Sequence, residues 1–171
     1  MTPSFSRRVP DGDTVVRDVC DTCGFIAYQN PKIVAGAVVR YGTRILLCKR
    51  NIEPARGRWT LPAGYLENGE SPVEGALREA FEEATAPIVI DSLLAIYTIR
   101  RLSQVQLIYR AHLDAPVFAP GPESQAVALF EPDEIPYEDI AFPTVRWALA
   151  HEREPGGPFV NPEIVDPKGP E

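Results

Sequence analysis

Between Gly64 and Glu83 the chain carries six glutamates, Glu67, Glu70, Glu74, Glu79, Glu82 and Glu83. This acidic stretch restricts the fold more than any other part of the sequence. Ser71, followed by Pro72 and then by Glu74 three residues on, is a capping box with proline at the first helical position, so a helix opens there. At roughly 100° per residue, with Glu79 as zero, Glu83 falls near +40° and Glu82 near −60°, so the three carboxylates share a face. On the same wheel Val73, Ala76, Leu77, Ala80 and Ala84 fall between about +60° and +160°, and they are expected to be the core-facing stripe. Gly75 lies on the carboxylate face and leaves it uncrowded. Like charges one turn apart repel. A hard divalent cation would reverse that sign, because Mg²⁺ is held by a few carboxylates with phosphates and waters. A solvated charged face is the alternative that spacing alone leaves open.

The rest of the chain arranges itself around that helix. Ile33–Arg40 and Arg44–Lys49 read as strands joined by the turn Tyr41-Gly42-Thr43, a hairpin. A stretch rich in glycine and proline, 54–64, leads to the acidic segment. Ile88–Ile99 and Gln104–Leu113 read as further strands, Ala126–Phe130 as a shorter one, and Pro143 opens a last helix running to about His151. Mixed strands with few helices predict an α/β or α+β layered fold. The sequence has 18 prolines in 171 residues, about twice the usual ~5%. Five of them, Pro155, Pro158, Pro162, Pro167 and Pro170, crowd the end, so 152–171 reads as an irregular tail. The organisation expected is a polar N-terminal segment 1–30, a folded body 31–151 and that tail, with no internal repeat.

Composition bounds the function. Seventeen basic against 24 acidic residues give a net charge of −7, which makes nucleic acid and anionic membranes poor partners. No apolar run is long enough to span a membrane, and the start does not read as a secretory signal. Three cysteines suit a reducing cytoplasm better than a disulfide framework. His112 and His151 have no partner visible in the sequence and read as structural; Cys48 reads as core. Tyr28, Tyr65 and Tyr97 could stack on a ring or edge the core.

The spacing Gly-x5-Glu-x7-Arg-Glu-x-x-Glu-Glu, met at Gly64, Glu70, Arg78, Glu79, Glu82 and Glu83, resembles the signature box of the Nudix hydrolases. Trp59-Thr60-Leu61-Pro62-Ala63 is similar to that family's lead-in. The resemblance implies the Nudix fold, a mixed β-sheet sandwiched between helices, over about 31–150. It implies Mg²⁺, with Mn²⁺ as a substitute, bound by Glu79, Glu83, Glu82 and the carbonyl of Gly64. Arg78 would orient carboxylates and Glu70 would support the loop. Two positions depart from the family: Thr85 stands where a helix-ending glycine is usual, and Ala80 where a bulky aliphatic is usual. A threonine tolerates a left-handed helix end poorly.

Further stretches, among them Tyr28-Gln29-Asn30-Pro31-Lys32 and Phe118-Ala119-Pro120-Gly121-Pro122-Glu123-Ser124, are similar to a zinc-ribbon subgroup that includes plant plastid FAD and ADP-ribose pyrophosphatases and bacterial relatives. That resemblance implies a ribbon of two Cys-x-x-Cys knuckles. Cys20 and Cys23 match the second knuckle, while the first would fall at and before Met1. Loss of zinc, a start set too late and ligands from a partner chain each account for this. The expectation adopted is a degenerate ribbon without metal.

The function expected is Mg²⁺-dependent hydrolysis of the pyrophosphate in a nucleoside diphosphate joined to another group, ADP-ribose or FAD. The alternatives are a noncatalytic nucleotide sensor and an NADH or NAD-capped-RNA pyrophosphatase. The general base would be Glu123, on a loop outside the box, or Glu82. Lys49, Arg50 and Arg58 would meet phosphate oxygens. The chain is expected to be cytoplasmic and a homodimer, as relatives commonly are.

Overall fold

The computed structural model describes residues 2–162. The chain divides into two compact units, Met1–Pro31 and the part from Lys32 onward. In the first unit β1 (Phe5–Arg8), β2 (Arg17–Cys20) and β3 (Ile26–Ala27) form an antiparallel sheet in that order. Asp13 organises the β1–β2 turn: its carboxylate accepts from the backbone N–H of Thr14 and Val15 and from Arg17 Nε at 2.6, 3.0 and 3.0 Å. This segment is therefore a built sheet, a feature its polar composition did not announce.

The second unit is a single mixed sheet with a helix on each face. Its strands are β4 (Lys32–Tyr41), β5 (Arg44–Arg50), β6 (Trp59–Thr60), β7 (Ala63–Tyr65), β8 (Ile88–Ile99), β9 (Gln104–Leu113) and β10 (Ser124–Phe130); its helices are α1 (Pro72–Ala84) and α2 (Pro143–His151). The order is β10-β5-β4-β9-β8, with β6 on β5 and β7 on β4. β4 and β9 run parallel, whereas the other pairs are antiparallel. Alternation along β4 feeds both faces. Ala37 and Val39 pack with Leu46, Cys48, Ala80 and Ala84 on the α1 side, and Val38 packs with Leu47, Leu94, Tyr97, Val145 and Leu149 on the α2 side. This is the sandwich expected from the sequence.

Helix α1 starts as its capping box requires. Ser71 Oγ accepts from Glu74 N–H at 3.3 Å, and Glu74 Oε2 accepts from Ser71 N–H at 2.7 Å. Its buried face is rotated from the expected stripe. Gly75, Ala76, Glu79, Ala80, Glu83 and Ala84 are buried, whereas Val73 and Leu77 are exposed. Gly75 eases this approach, since a Cβ there would come within 2.7 Å of the tip of the Leu66 side chain and within ordinary contact, 3.4 Å, of Ala35. The missing side chain lets the helix roll its carboxylate side against the sheet. Gly75 serves close packing and does not open the face.

Tyr97 is fully buried in the core, its hydroxyl 2.7 Å from His151 Nδ1, so of its two expected roles it takes the core one. His112 Nδ1 lies 2.8 Å from Asp91. The tail is docked at its start: Phe159 exchanges backbone hydrogen bonds with Leu94 and Ile96, and Asn161 bonds the backbone of Thr98 at 2.9 and 2.8 Å. Residues 163–171 lie outside the described residues. Among the described residues no helix is long and apolar enough to cross a membrane.

Thr85 ends α1 at φ 49°, ψ 30°, its N–H reaching the carbonyls of Ala80 and Phe81. A β-branched residue in the left-handed region is strained. Thr85→Gly is therefore expected to stabilise the protein by about 1 kcal/mol, after the added freedom of glycine in the unfolded chain is discounted. Thermal unfolding should show a rise of about 2–4 °C; an unchanged or lower Tm would show that the turn carries no strain.

Candidate active site

The acidic face of α1 is pressed against β7, and glycine makes that contact possible. β7 lies beside β4 with Ala35 opposite Gly64 and Val34 opposite Tyr65. A Cβ on Gly64 would sit on the Glu79 carboxyl group. One turn on, Glu83 Oε2 accepts the Ala63 N–H at 3.2 Å. Glu79 and Glu83 are thereby 8% and 7% exposed, while the Glu82 side chain, around the helix, is 57% exposed.

Arg78 ties these carboxylates to the preceding loop. Its Nε and Nη2 reach both oxygens of Glu70 at 2.6 and 3.0 Å, a bidentate pair. Its Nη1 reaches Glu79 at 2.7 Å and Glu82 at 2.9 Å, and Nη2 also reaches the Tyr65 carbonyl at 3.0 Å. Glu70, which also accepts the Glu67 N–H, is held below the usual carboxylate range, chiefly by Arg78. Burial has the opposite effect on the other two. It raises Glu79 against the pull of Arg78. It pushes Glu83 up to about 8, with Glu79 and Glu123 adding to the rise and the Ala63 N–H and Arg50 opposing it.

The C-terminal end of α1 is closed by the loop before β10. Ala119 N–H donates to the Ala84 carbonyl at 2.8 Å and Gly121 N–H to the Glu83 carbonyl at 3.0 Å. A Cβ on Gly121 would collide with the Glu82 carbonyl. This docking carries Glu123 toward Glu79 and Glu83, both of which its charge raises. β10 begins at Ser124, two residues before the expected start, so Glu123 immediately precedes a paired strand.

These groups line one cleft of about 1050 Å³, which holds Gly64, Arg78, Glu79, Glu82, Glu83, Glu123 and Arg50. Arg50 donates from Nε to the Pro54 carbonyl at 2.8 Å, with its guanidinium 5.2 Å from the Phe142 ring centre. Lys49 and Arg58, expected to meet phosphate oxygens, are not among the cleft's described lining. Strand alternation turns Lys49 away from Arg50 and over Trp59, at 5.9 Å. Arg58 is directed to the Glu138 carbonyl at 3.5 Å. Sequence reasoning missed the cleft's other end, where Val34, Ile99, Gln104, Gln106 and Ile108 sit with Phe142. A Gln-x-Gln repeat on one face at the start of a strand was the available signal.

The donor set on α1 is all oxygen and suits a hard cation such as Mg²⁺ or Mn²⁺. Gly64 supplies the bare backbone that such a set needs beside Glu79. Among the described residues, however, no three acidic, histidine or cysteine side chains converge as a finished ligand cluster, since Glu79 and Glu82 turn to Arg78 and Glu83 to Ala63. Unscreened carboxylates take the donors within reach. In the N-terminal unit Cys20 is buried and Cys23 exposed, and backbone N–H groups of Cys23 and Thr22 lower the Cys20 thiol. Two thiolates do not by themselves fit a tetrahedral zinc ion.

Comparison with known proteins bears on the fold and the family. A NUDIX domain model matches residues 30–148, and the Nudix N-terminal zinc-ribbon model matches residues 2–29. A solved NUDIX hydrolase from Nitrosomonas europaea is 43% identical with a TM-score of 0.85, over 91% of this chain and 92% of that one. A MutT-like protein from Streptomyces ambofaciens is 36% identical over 60% of this chain and 64% of its own length. An ADP-ribose pyrophosphatase from Methanocaldococcus jannaschii is 34% identical over 42% of each. The chain thus spans less than two thirds of either curated relative.

Two outcomes test this geometry. The folded value of Glu83, about 8, stands above its ordinary 4.5. Its contribution to the stability of the metal-free protein is therefore full below about pH 4.5, shrinks as pH rises and is lost above about pH 8. A cation needs the ionised form, so Mg²⁺ uptake at pH 7 should release about one proton per chain. Calorimetry in buffers of differing ionisation enthalpy reads this directly, and Glu83→Gln should abolish the buffer dependence. Gly64→Ala should displace the Glu79 carboxylate and weaken Mg²⁺ by about tenfold or more; unchanged affinity would remove that contact from the site.

Proposed function

The chain belongs to the Nudix family, and on that premise we propose that it is a Mg²⁺-dependent hydrolase of a pyrophosphate joining a nucleoside to another group, ADP-ribose before FAD. The observation that carries this reading is one cleft holding an Arg78-braced acidic face and Arg50 at one end and an apolar wall at the other. Its volume of about 1050 Å³ is at the upper end for small-molecule pockets, which suits a nucleotide carrying a second group. The relative named an ADP-ribose pyrophosphatase supports placing that substrate first.

Glu79, Glu82, Glu83 and the Gly64 carbonyl would hold the metal, with Mn²⁺ as a substitute. When bound, the ion neutralises phosphate charge and lowers the pKa of an attacking water. The chain's own residues do the rest. Arg78 positions Glu79 and Glu82 and keeps Glu70 on the loop. Arg50 meets a phosphate oxygen with its terminal nitrogens, its Nε being engaged by Pro54. Glu123 takes the proton of the attacking water, with Glu82 the second candidate. The mouth of the cleft beside Tyr65 is open, since that ring is exposed, which leaves room for the leaving group.

Glu123→Gln should lower kcat for ADP-ribose by about 100-fold or more, with KM within about threefold of wild type. A loss of less than about threefold in kcat would remove Glu123 from the mechanism. Wild-type protein that binds ADP-ribose with Mg²⁺ yet cleaves neither it, FAD nor NADH would identify a sensor instead.

A further inference from the structure

We propose that Gln104 and Gln106 form the base-reading end of the cleft, and that they take a heterocycle edge offering one hydrogen-bond donor beside one acceptor, as adenine does. The inference deepens the hydrolase reading and rests on it for the cleft taking a nucleotide.

Gln104 and Gln106 stand two apart on β9 and so share a face. Both line the cleft with Val34, Ile99, Leu102 and Ile108. The register fixes their distance from the acidic end. Gln106 is opposite Val34 on β4, and Val34 is opposite Tyr65 on β7. Two strand spacings put Gln106 about 10 Å from the Tyr65 backbone, and Gly64, the residue before Tyr65, abuts Glu79. A nucleotide can bridge that span with its phosphates at the acidic end and its base at the glutamines.

The chemistry of the pair defines what it reads. Gln106 Nε2 donates to Gln104 Oε1 at 3.0 Å in a half-buried setting. That bond uses the amino group of one amide and the carbonyl of the other. What it leaves wholly unengaged is the amino group of Gln104 and the carbonyl of Gln106, while one N–H of Gln106 and one lone pair of the Gln104 carbonyl also remain. Reversing both amides together keeps their mutual bond and exchanges the two roles, but the pair still presents one unengaged amino group beside one unengaged carbonyl. Adenine answers with its exocyclic amino group and N1. Hypoxanthine answers with its carbonyl and N1–H by way of the reversed pair. An unsubstituted purine has only the acceptor and leaves one amide group without a partner. The apolar residues around the amides raise the penalty for that mismatch.

Calorimetric titration of the full chain with AMP, IMP and purine riboside monophosphate tests the assignment without requiring turnover. Wild type should bind AMP and IMP about tenfold more tightly than the unsubstituted purine nucleotide. Gln104→Leu and Gln106→Leu should bring the three within about threefold of one another, and Gln106→Met repeats the test with a side chain of similar length should a leucine variant unfold. Absence of AMP binding, no preference in wild type, or a preference that survives the substitutions would each overturn the proposal. Selective AMP binding without cleavage of ADP-ribose would count against the hydrolase reading and leave the glutamine pair standing. Cleavage without base preference would do the reverse.

Discussion

The guanidinium of Arg78 holds the acidic end of this protein together. Three carboxylates, from Glu70, Glu79 and Glu82, and the Tyr65 carbonyl meet on it. Without a cation so placed, Glu79 and Glu82 would be like charges repelling on the helix face, the first of them buried at unfavourable solvation. With it, the loop before α1, the short strand β7 and the helix share one set of charge-assisted bonds. Planarity and several donors make arginine suited to this; a lysine would offer one point charge.

Charge could not be brought so close without absent side chains. Gly64 clears the Glu79 carboxyl group, Gly75 lets α1 roll toward the sheet, and Gly121 lets the β10 approach loop cover the helix carbonyls. Each removes a Cβ that would meet another group. The consequence is electrostatic as well as steric. Glu79 and Glu83 are buried enough for their carboxyl groups to rise above the ordinary range, so protons and metal ions compete for the same oxygens.

The cleft combines two unlike ends on one sheet. Its acidic end is local in the chain, most of its groups falling within 64–83. Its other end draws on β4, β8, β9 and the start of α2. Polar recognition there depends on which strand lies beside which, and the parallel pairing of β4 with β9 places the glutamines two strands from the Tyr65 backbone.

The sequence by itself determined the start of α1, through Ser71, Pro72 and Glu74, and the grouping of its carboxylates, because both are set by spacing within a few residues. It also determined the layered fold, since β4, β5, β8 and β9 announce themselves by apolar runs of strand length. The left-handed helix end at Thr85 is one that the resemblance associated with glycine and that threonine was expected to tolerate poorly. The tertiary structure alone decided which side of α1 is buried, because Gly75 and Gly64 act on partners distant in sequence. It alone turned Lys49 from the cleft and Arg50 into it, buried Tyr97 on His151, and brought Glu123 and the two glutamines to the same opening. Contacts between residues tens of positions apart depend on strand register and close approach, and a local pattern of residues specifies neither.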